Sequence, residues 1–214
     1  MSRRSTSKKI LLSLAALGAA GAIAGLGTFA TFTSTTTATH QVTAGKVEIA
    51  LGASGAANRL SVSATNVVPG DTINRAVDLI STSTDPMASV NLITTATVSS
   101  VLDTNTSDGL RMYIQNCSVA WTEAGSSPAY TYTCTGTTSA VLASSGSPTN
   151  IITTTSGGVS LTNLSATTTA GPVTDHLLLT VLLPQANTSA NLTSPPSSTI
   201  QYSFTGTQRA GTNR

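Results

Sequence analysis

Charge is scarce in this chain. Only 8% of the 214 residues are Asp, Glu, Lys or Arg, against about 25% in ordinary soluble proteins. The ten basic groups form no patch. Arg3, Arg4, Lys8 and Lys9 fall within the first nine positions, and the remaining six are scattered from Lys46 to Arg214. Beyond residue 9, six basic groups face eight acidic ones, so the formal charge of +2 becomes −2 (6 − 8). Binding nucleic acid by counterion release needs clustered Lys and Arg, which excludes a nucleic-acid partner.

Histidine is equally sparse, with only His40 and His176. A catalytic zinc site takes three protein ligands and a water, and the helical H-E-x-x-H arrangement is absent. His40 lies in a Thr-rich N-terminal segment. His176 follows Asp175 at the start of an apolar strand and reads as a polar residue at a strand edge. No Gly-x-Ser-x-Gly turn marks a nucleophile, and a Ser near a His means little where roughly a third of residues are Ser or Thr. The acidic residues Asp71, Asp78, Asp85, Asp103 and Asp108 are dispersed. The segment from Asp103 to Asp108 has a mild calcium-loop flavour but lacks the Gly and terminal Glu of that pattern, so its acids read as solvated turn residues. The residues therefore assign no catalytic group, cofactor or metal ligand. Asn-x-Ser/Thr triplets at Asn105, Asn116, Asn163, Asn187 and Asn191 are expected by chance in such a composition.

What is present points outward and to strands. Residues 1–30 read as a signal peptide: a basic start, an uncharged apolar run over 10–26, then Thr28-Phe29-Ala30 as an A-x-A-like cleavage site. Cleavage after Ala30 leaves Thr31 as the new N-terminus. A retained transmembrane helix is the alternative. Against it, the run of about 17 residues is at the short limit for spanning a bilayer, and Gly18, Gly21 and Gly25 weaken a permanent helix. Arg3-Arg4 hints at a twin-arginine signal, but Thr6 and Ser7 follow where such signals carry large apolar residues. The expected localisation is secreted, at the cell surface or in the matrix, with no membrane partner after cleavage.

Thr and Val suit half-buried pleated strands. Apolar residues recur with a period of two at Val47-Ile49-Leu51, Leu60-Val62-Ala64, Val77-Leu79, Val90-Leu92, Leu177-Leu179-Val181-Leu183 and Ile200-Tyr202-Phe204. Turn signals separate them, among them Pro69-Gly70-Asp71, Asp85-Pro86, Ser147-Pro148 and Gly171-Pro172. No amphipathic helix is evident beyond the leader. The fold class expected is all-β, an antiparallel jelly roll or β-sandwich over 42–214, after an extended N-terminal segment at 31–41. Residues 135–170 read as long surface loops with a strand or two near Val159-Leu161-Leu164.

Cys117 and Cys134 are the only cysteines. Residues 110–122 and 130–135 read as strands of one hairpin centred on Gly125-Ser126. Trp121 then faces Tyr130, Val119 faces Tyr132 and Cys117 faces Cys134, all on one side. Opposed Cα atoms lie about 4.5–5.5 Å apart, within disulfide range. A structural disulfide agrees with an oxidising space. A metal pair or a reactive thiol is the alternative, but the sequence brings no other Cys and no His near these two.

Gly25-Leu-Gly-Thr-Phe-Ala30-Thr-Phe-Thr33 resembles the G-x-G-T-[FW]-A-x-F segment of the TasA/camelysin family, where a dedicated signal peptidase cuts after the Ala. Val42-Thr-Ala-Gly45-Lys-Val47 resembles the F-x-A-G-x-L opening of that family's first strand. Val68-Pro-Gly-Asp71 with Arg75-Ala-Val-Asp-Leu79 resembles its P-G-D turn and following strand, and residues 200–209 resemble the closing strand of actinobacterial members. The resemblance implies an exported jelly-roll domain. Some members form biofilm fibres, and others are classed as metallo-endopeptidases. These residues lead to a structural protein that self-assembles as a homo-oligomer or fibre, the segment 31–41 completing a neighbour's sheet, with signal peptidase as its partner during export. The alternative is a camelysin-type endopeptidase in which His176, Asp175 and another ligand meet at zinc. A third reading is a glycan binder using 135–170. None is an enzyme acting on a small molecule inside the cell.

Overall fold

The computed structural model describes residues 46–61, 63–64, 67–153, 155–185 and 197–211. The leader, its Ala30/Thr31 cleavage site, the segment 31–41, His40, Val62, Asn187 and Asn191 lie outside them.

Eleven strands form three antiparallel sheets among the described residues. Sheet A has β1 (Ile49–Leu51), β2 (Thr72–Ser81), β10 (Val173–Leu182), β4 (Arg111–Cys117) and β7 (Thr138–Leu142) in that spatial order, with β8 (Thr149–Asn150) also on β4. Sheet B places β3 (Met87–Val98) between β11 (Thr199–Gln208) and β9 (Val159–Leu161). The third is a hairpin of β5 (Thr122–Ser126) and β6 (Ala129–Thr133). A single helical turn, α1 (Val101–Thr104), and a 3-10 turn, Ser165–Thr167, are the described helical pieces.

The period of two builds the core. In β10, Leu177, Leu179 and Val181 face the same way as their registered partners, Val77 of β2 and Ile114 and Met112 of β4, and as Leu79 of β2. These side chains meet Val90 and Leu92 of β3 and Leu161 of β9 in one buried cluster, with Tyr202 and Phe204 of β11 packed against it. Sheets A and B thus make a sandwich. The antiparallel all-β expectation holds.

Two expectations are corrected. Leu60, Ser61, Ser63 and Ala64, the described residues of the stretch expected as a strand at 60–64, are not in one. The bridge from Asn58 to Val77 ends there, and the Asn58 side chain accepts the amide of Leu60, an Asx turn that leads the chain off the sheet. Residues 135–170 hold the expected strand, β9 at Val159–Leu161, but contribute more than loops: they also supply β7 and β8, and they bury Val141, Ile151, Leu161, Leu164 and Ala166 in the core.

Candidate functional site

Cys117 and Cys134 are joined, with Cα atoms 5.8 Å apart, but not by the expected register. Thr122 pairs with Thr133 and Ser126 with Ala129, so the turn is Ser127-Pro128 rather than Gly125-Ser126. Pro128 has no N–H to give to a ladder, which puts it in the turn. Gly125 pairs with Tyr130 at φ +84°, and a Cβ there would lie 2.6 Å from the Ala129 carbonyl oxygen. Only glycine fits this kink in the strand. Trp121 stands one position before the ladder and Cys134 one position after it. The disulfide therefore joins the hairpin's open end to the last residue of β4, in sheet A.

The hairpin lies over the outer face of sheet A, where β6 packs on β2. Ala76, Leu178 and Thr180 point away from the core cluster yet are buried. Two further ties hold it to the domain, and one bond braces it internally. The indole N–H of Trp121 donates to the His176 carbonyl at 2.8 Å. Arg59 grips Glu123 through two hydrogen bonds, of 2.6 and 2.9 Å, and its guanidinium lies 4.6 Å from the Tyr130 ring centroid. Tyr132 donates to Glu123 at 3.0 Å. The Arg59 hydrogen bond holds the Glu123 carboxyl below its usual range. Burial, then the bond to Glu123, pushes the Tyr132 hydroxyl up to about 12.

On that outer face the register sets three reactive side-chain types in one row. His176 of β10 is directly opposite Asp78 of β2 on one side and Cys117 of β4 on the other. Directly opposed residues share a face, so the row runs Asp78, His176, Cys117. His176 Nδ1 is 2.7 Å from Asp78 Oδ1. An ionised carboxylate only accepts, so the contact assigns a proton to Nδ1. His176 is a mid-strand residue, not an edge residue, and the expectation that no His lies near the cysteines is overturned. Three separate strands supply the row, and nothing in the spacing along the chain announces it.

Asp175 points the other way. It is 1% exposed, among the inward residues of β10. Its Oδ1 accepts from the Ser165 amide at 2.7 Å and from Asn116 Nδ2 at 3.3 Å, and its Oδ2 from the Ala166 amide at 3.1 Å. It fastens the start of the 3-10 turn to β10 and β4. Consecutive strand residues face opposite sides, so Asp175 and His176 cannot ligate one zinc ion. Among the described residues no three His, Cys, Asp or Glu side chains gather as a metal-ligand group. The donors among the described residues therefore do not fit a catalytic zinc.

The other expected features are structural. Burial pushes Asp103 up, but bonds from Ser198, Ser99 and the Ser100 amide outweigh it and hold the carboxyl below its usual range. Asp103 thereby caps α1 and ties it to the start of β11. Asn105 accepts the Ser107 and Asp108 amides, Asn116 serves Asp175, and Asn163 donates to the Ala140 carbonyl. Among the described residues no helix is long and apolar enough to cross a membrane.

A family model described as camelysin metallo-endopeptidase matches residues 5–212. No curated protein matches the chain.

Proposed function

The chain belongs to the camelysin metallo-endopeptidase family, and from that premise we propose that it is an exported structural subunit that assembles by adding a strand to a neighbour's sheet. The observation that carries this is the outer edge of β11. This strand has ten residues and is paired on one side with β3, and no other described strand pairs with it. Natural sheets protect such edges with charge, proline or shortness. β11 reads Thr-Ile-Gln-Tyr-Ser-Phe-Thr-Gly-Thr-Gln, with neither charge nor proline, and its register shifts fall only near its two ends. Beside it an apolar groove is lined by Ile49, Ala50, Leu51, Leu79 and Phe204. An extended segment laid along the edge gains main-chain hydrogen bonds, with such a groove for its alternate side chains.

The donor in this reading is the segment 31–41, freed at its N-terminus by cleavage between Ala30 and Thr31. It is uncharged and rich in β-branched Thr. Head-to-tail donation does not close on itself and leads to a fibre. Electron microscopy of two purified chains, one starting at Thr31 and one starting at Val42, tests this. Filaments from the longer chain alone are expected, and equal assembly by both refutes strand donation.

The family's described activity is the second reading. It needs a zinc ligand set that the described residues do not assemble. Stoichiometric zinc in the mature protein, with proteolysis lost on His176→Ala, would decide for it.

A further inference from the structure

We infer that Arg75 and Tyr132 close the free edge of β2 to strand addition, so that of the two long strands β2 and β11 only β11 accepts a partner. The inference deepens the assembly reading and rests on it only for the choice of probe. In β2, Ala76 and Asp78 turn their backbone groups away from β10. The Ala76 carbonyl accepts the Arg59 amide at 2.9 Å, and the Asp78 amide donates to the Ala57 carbonyl at 2.8 Å. Backbone groups alternate sides along a strand, so those of Thr72 and Asn74 turn the same way. The chain leaves the sheet at the Leu60 turn. Among the described residues, no strand lies beside β2 from Thr72 to Arg75 on that side. A cleft of about 190 Å³ adjoins this stretch, lined by Val67, Ile73, Asn74, Pro128 and Tyr130 among others. A sheet edge with a cleft for alternate side chains is what strand addition uses.

Two side chains take the backbone groups that a partner strand would need. Arg75 alternates onto the same side of β2 as Val77 and Leu79, and it is 4% exposed. Its Nη1 donates to the Asn74 carbonyl at 2.7 Å, and its Nη2 to the Ser63 carbonyl at 3.3 Å. From the hairpin, the Tyr132 hydroxyl accepts the Ala76 amide. Burial opposes the Arg75 charge and lowers its pKa. A buried cation adds little to stability by itself, whereas it can fix which pairings a fold allows. An inward-pointing charge is one device by which natural sheets refuse edge pairing, and a covering segment is another. β2 carries both, and β11 has no charged residue. The hairpin that brings Tyr132 to the edge is held by the disulfide to β4, the Trp121 bond to the His176 carbonyl and the Arg59–Glu123 pair. These ties position the cap.

The test uses the chain starting at Val42, which has no donor segment, and a synthetic peptide of residues 31–41 as the probe. Isothermal titration counts the peptides bound per chain. Arg75→Leu with Tyr132→Phe should bind one peptide per chain more than the parent, and the bound peptide should protect the Asn74 amide from hydrogen exchange. Adding Thr72→Pro removes an edge-facing N–H from the first residue of β2, where proline is tolerated. It should abolish the extra site. The difference between variant and parent carries this inference, whereas binding by the parent itself carries the β11 reading, so the two fail separately. Equal stoichiometry in parent and variant overturns the cap, whatever its value. The second measurement uses the conservative Tyr132→Phe alone, without peptide. Exchange of the Ala76 amide should speed up about tenfold, with protection at Leu177 unchanged. An Ala76 amide that exchanges at the parent's rate in that variant also overturns the inference.

Discussion

Asp175→Ala tests whether the buried carboxylate on the core face is a structural clamp. The substitution leaves the Ser165 and Ala166 amides and Asn116 Nδ2 without the acceptor that each has now. A buried donor left unsatisfied costs about 1–3 kcal/mol. The 3-10 turn can shift to recover part of this, so the expected loss is about 4 kcal/mol. That is a large fraction of the ~5–15 kcal/mol by which domains are stable. With a urea slope of about 2 kcal/mol/M, the unfolding midpoint of the oxidised chain should fall by roughly 2 M. Asp175→Asn keeps the shape and one acceptor oxygen, so its loss should be about half as large. Hydrogen exchange should show protection lost first at Ser165 and Ala166. A midpoint shift below about 0.5 M for the alanine variant, or unchanged protection of those two amides, would refute the clamp.

Leu177→Ala, at the centre of the core, should lower stability by about 3–4 kcal/mol, measured by urea unfolding. Replacing both cysteines by serine should cost about 3 kcal/mol in the chain-entropy model for a loop of this size, read from thermal and urea midpoints against the oxidised parent. Glu123 has a depressed folded-state pKa, so its stabilisation is full above the unfolded value of about 4.3 and fades as pH falls through the folded value. Glu123→Gln should therefore be less stable than wild type near pH 6, with the gap narrowing on acidification. A gap constant between pH 6 and 2.5 would break that linkage. Ser203→Lys with Thr205→Lys, both exposed on β11, should leave folding within about 0.5 kcal/mol while abolishing filaments seen by electron microscopy.

The long strands were legible because alternation is a local signal. β2, β3, β10 and β11 each contain an alternating apolar stretch, at Val77-Leu79, Val90-Leu92, Leu177-Leu179-Val181 and Ile200-Tyr202-Phe204, and each stretch lies within its strand. The short strands β7 and β8 were not legible. Two to five residues, Thr-Ser-Ala-Val-Leu in β7 and Thr-Asn in β8, are too few to hold a period, and the core contributions of Val141 and Ile151 come from tertiary packing. The cysteine pair was readable from its spacing, but the route was not. A symmetric hairpin predicted Cys117 opposite Cys134, whereas Pro128 takes the turn and Cys117 belongs to another sheet. The row Asp78, His176, Cys117 was invisible for a related reason. Register between strands far apart in the chain is fixed by what both sheets bury, and no window of sequence contains it.

The longest ladders in both sheets join the two ends of the domain. Thr72 pairs with Leu182, and Met87 with Gln208, partners more than about a hundred residues apart, so their loop-closure entropy precedes any reward. A chain emerging from the ribosome holds β2 with only the three-residue β1 beside it, and β3 without its long partner β11, until its last quarter has been made. The local ladders of β4 with β7 and β8, and of β5 with β6, can pair earlier, but the two sheets cannot close on each other in full until β10 and β11 are present.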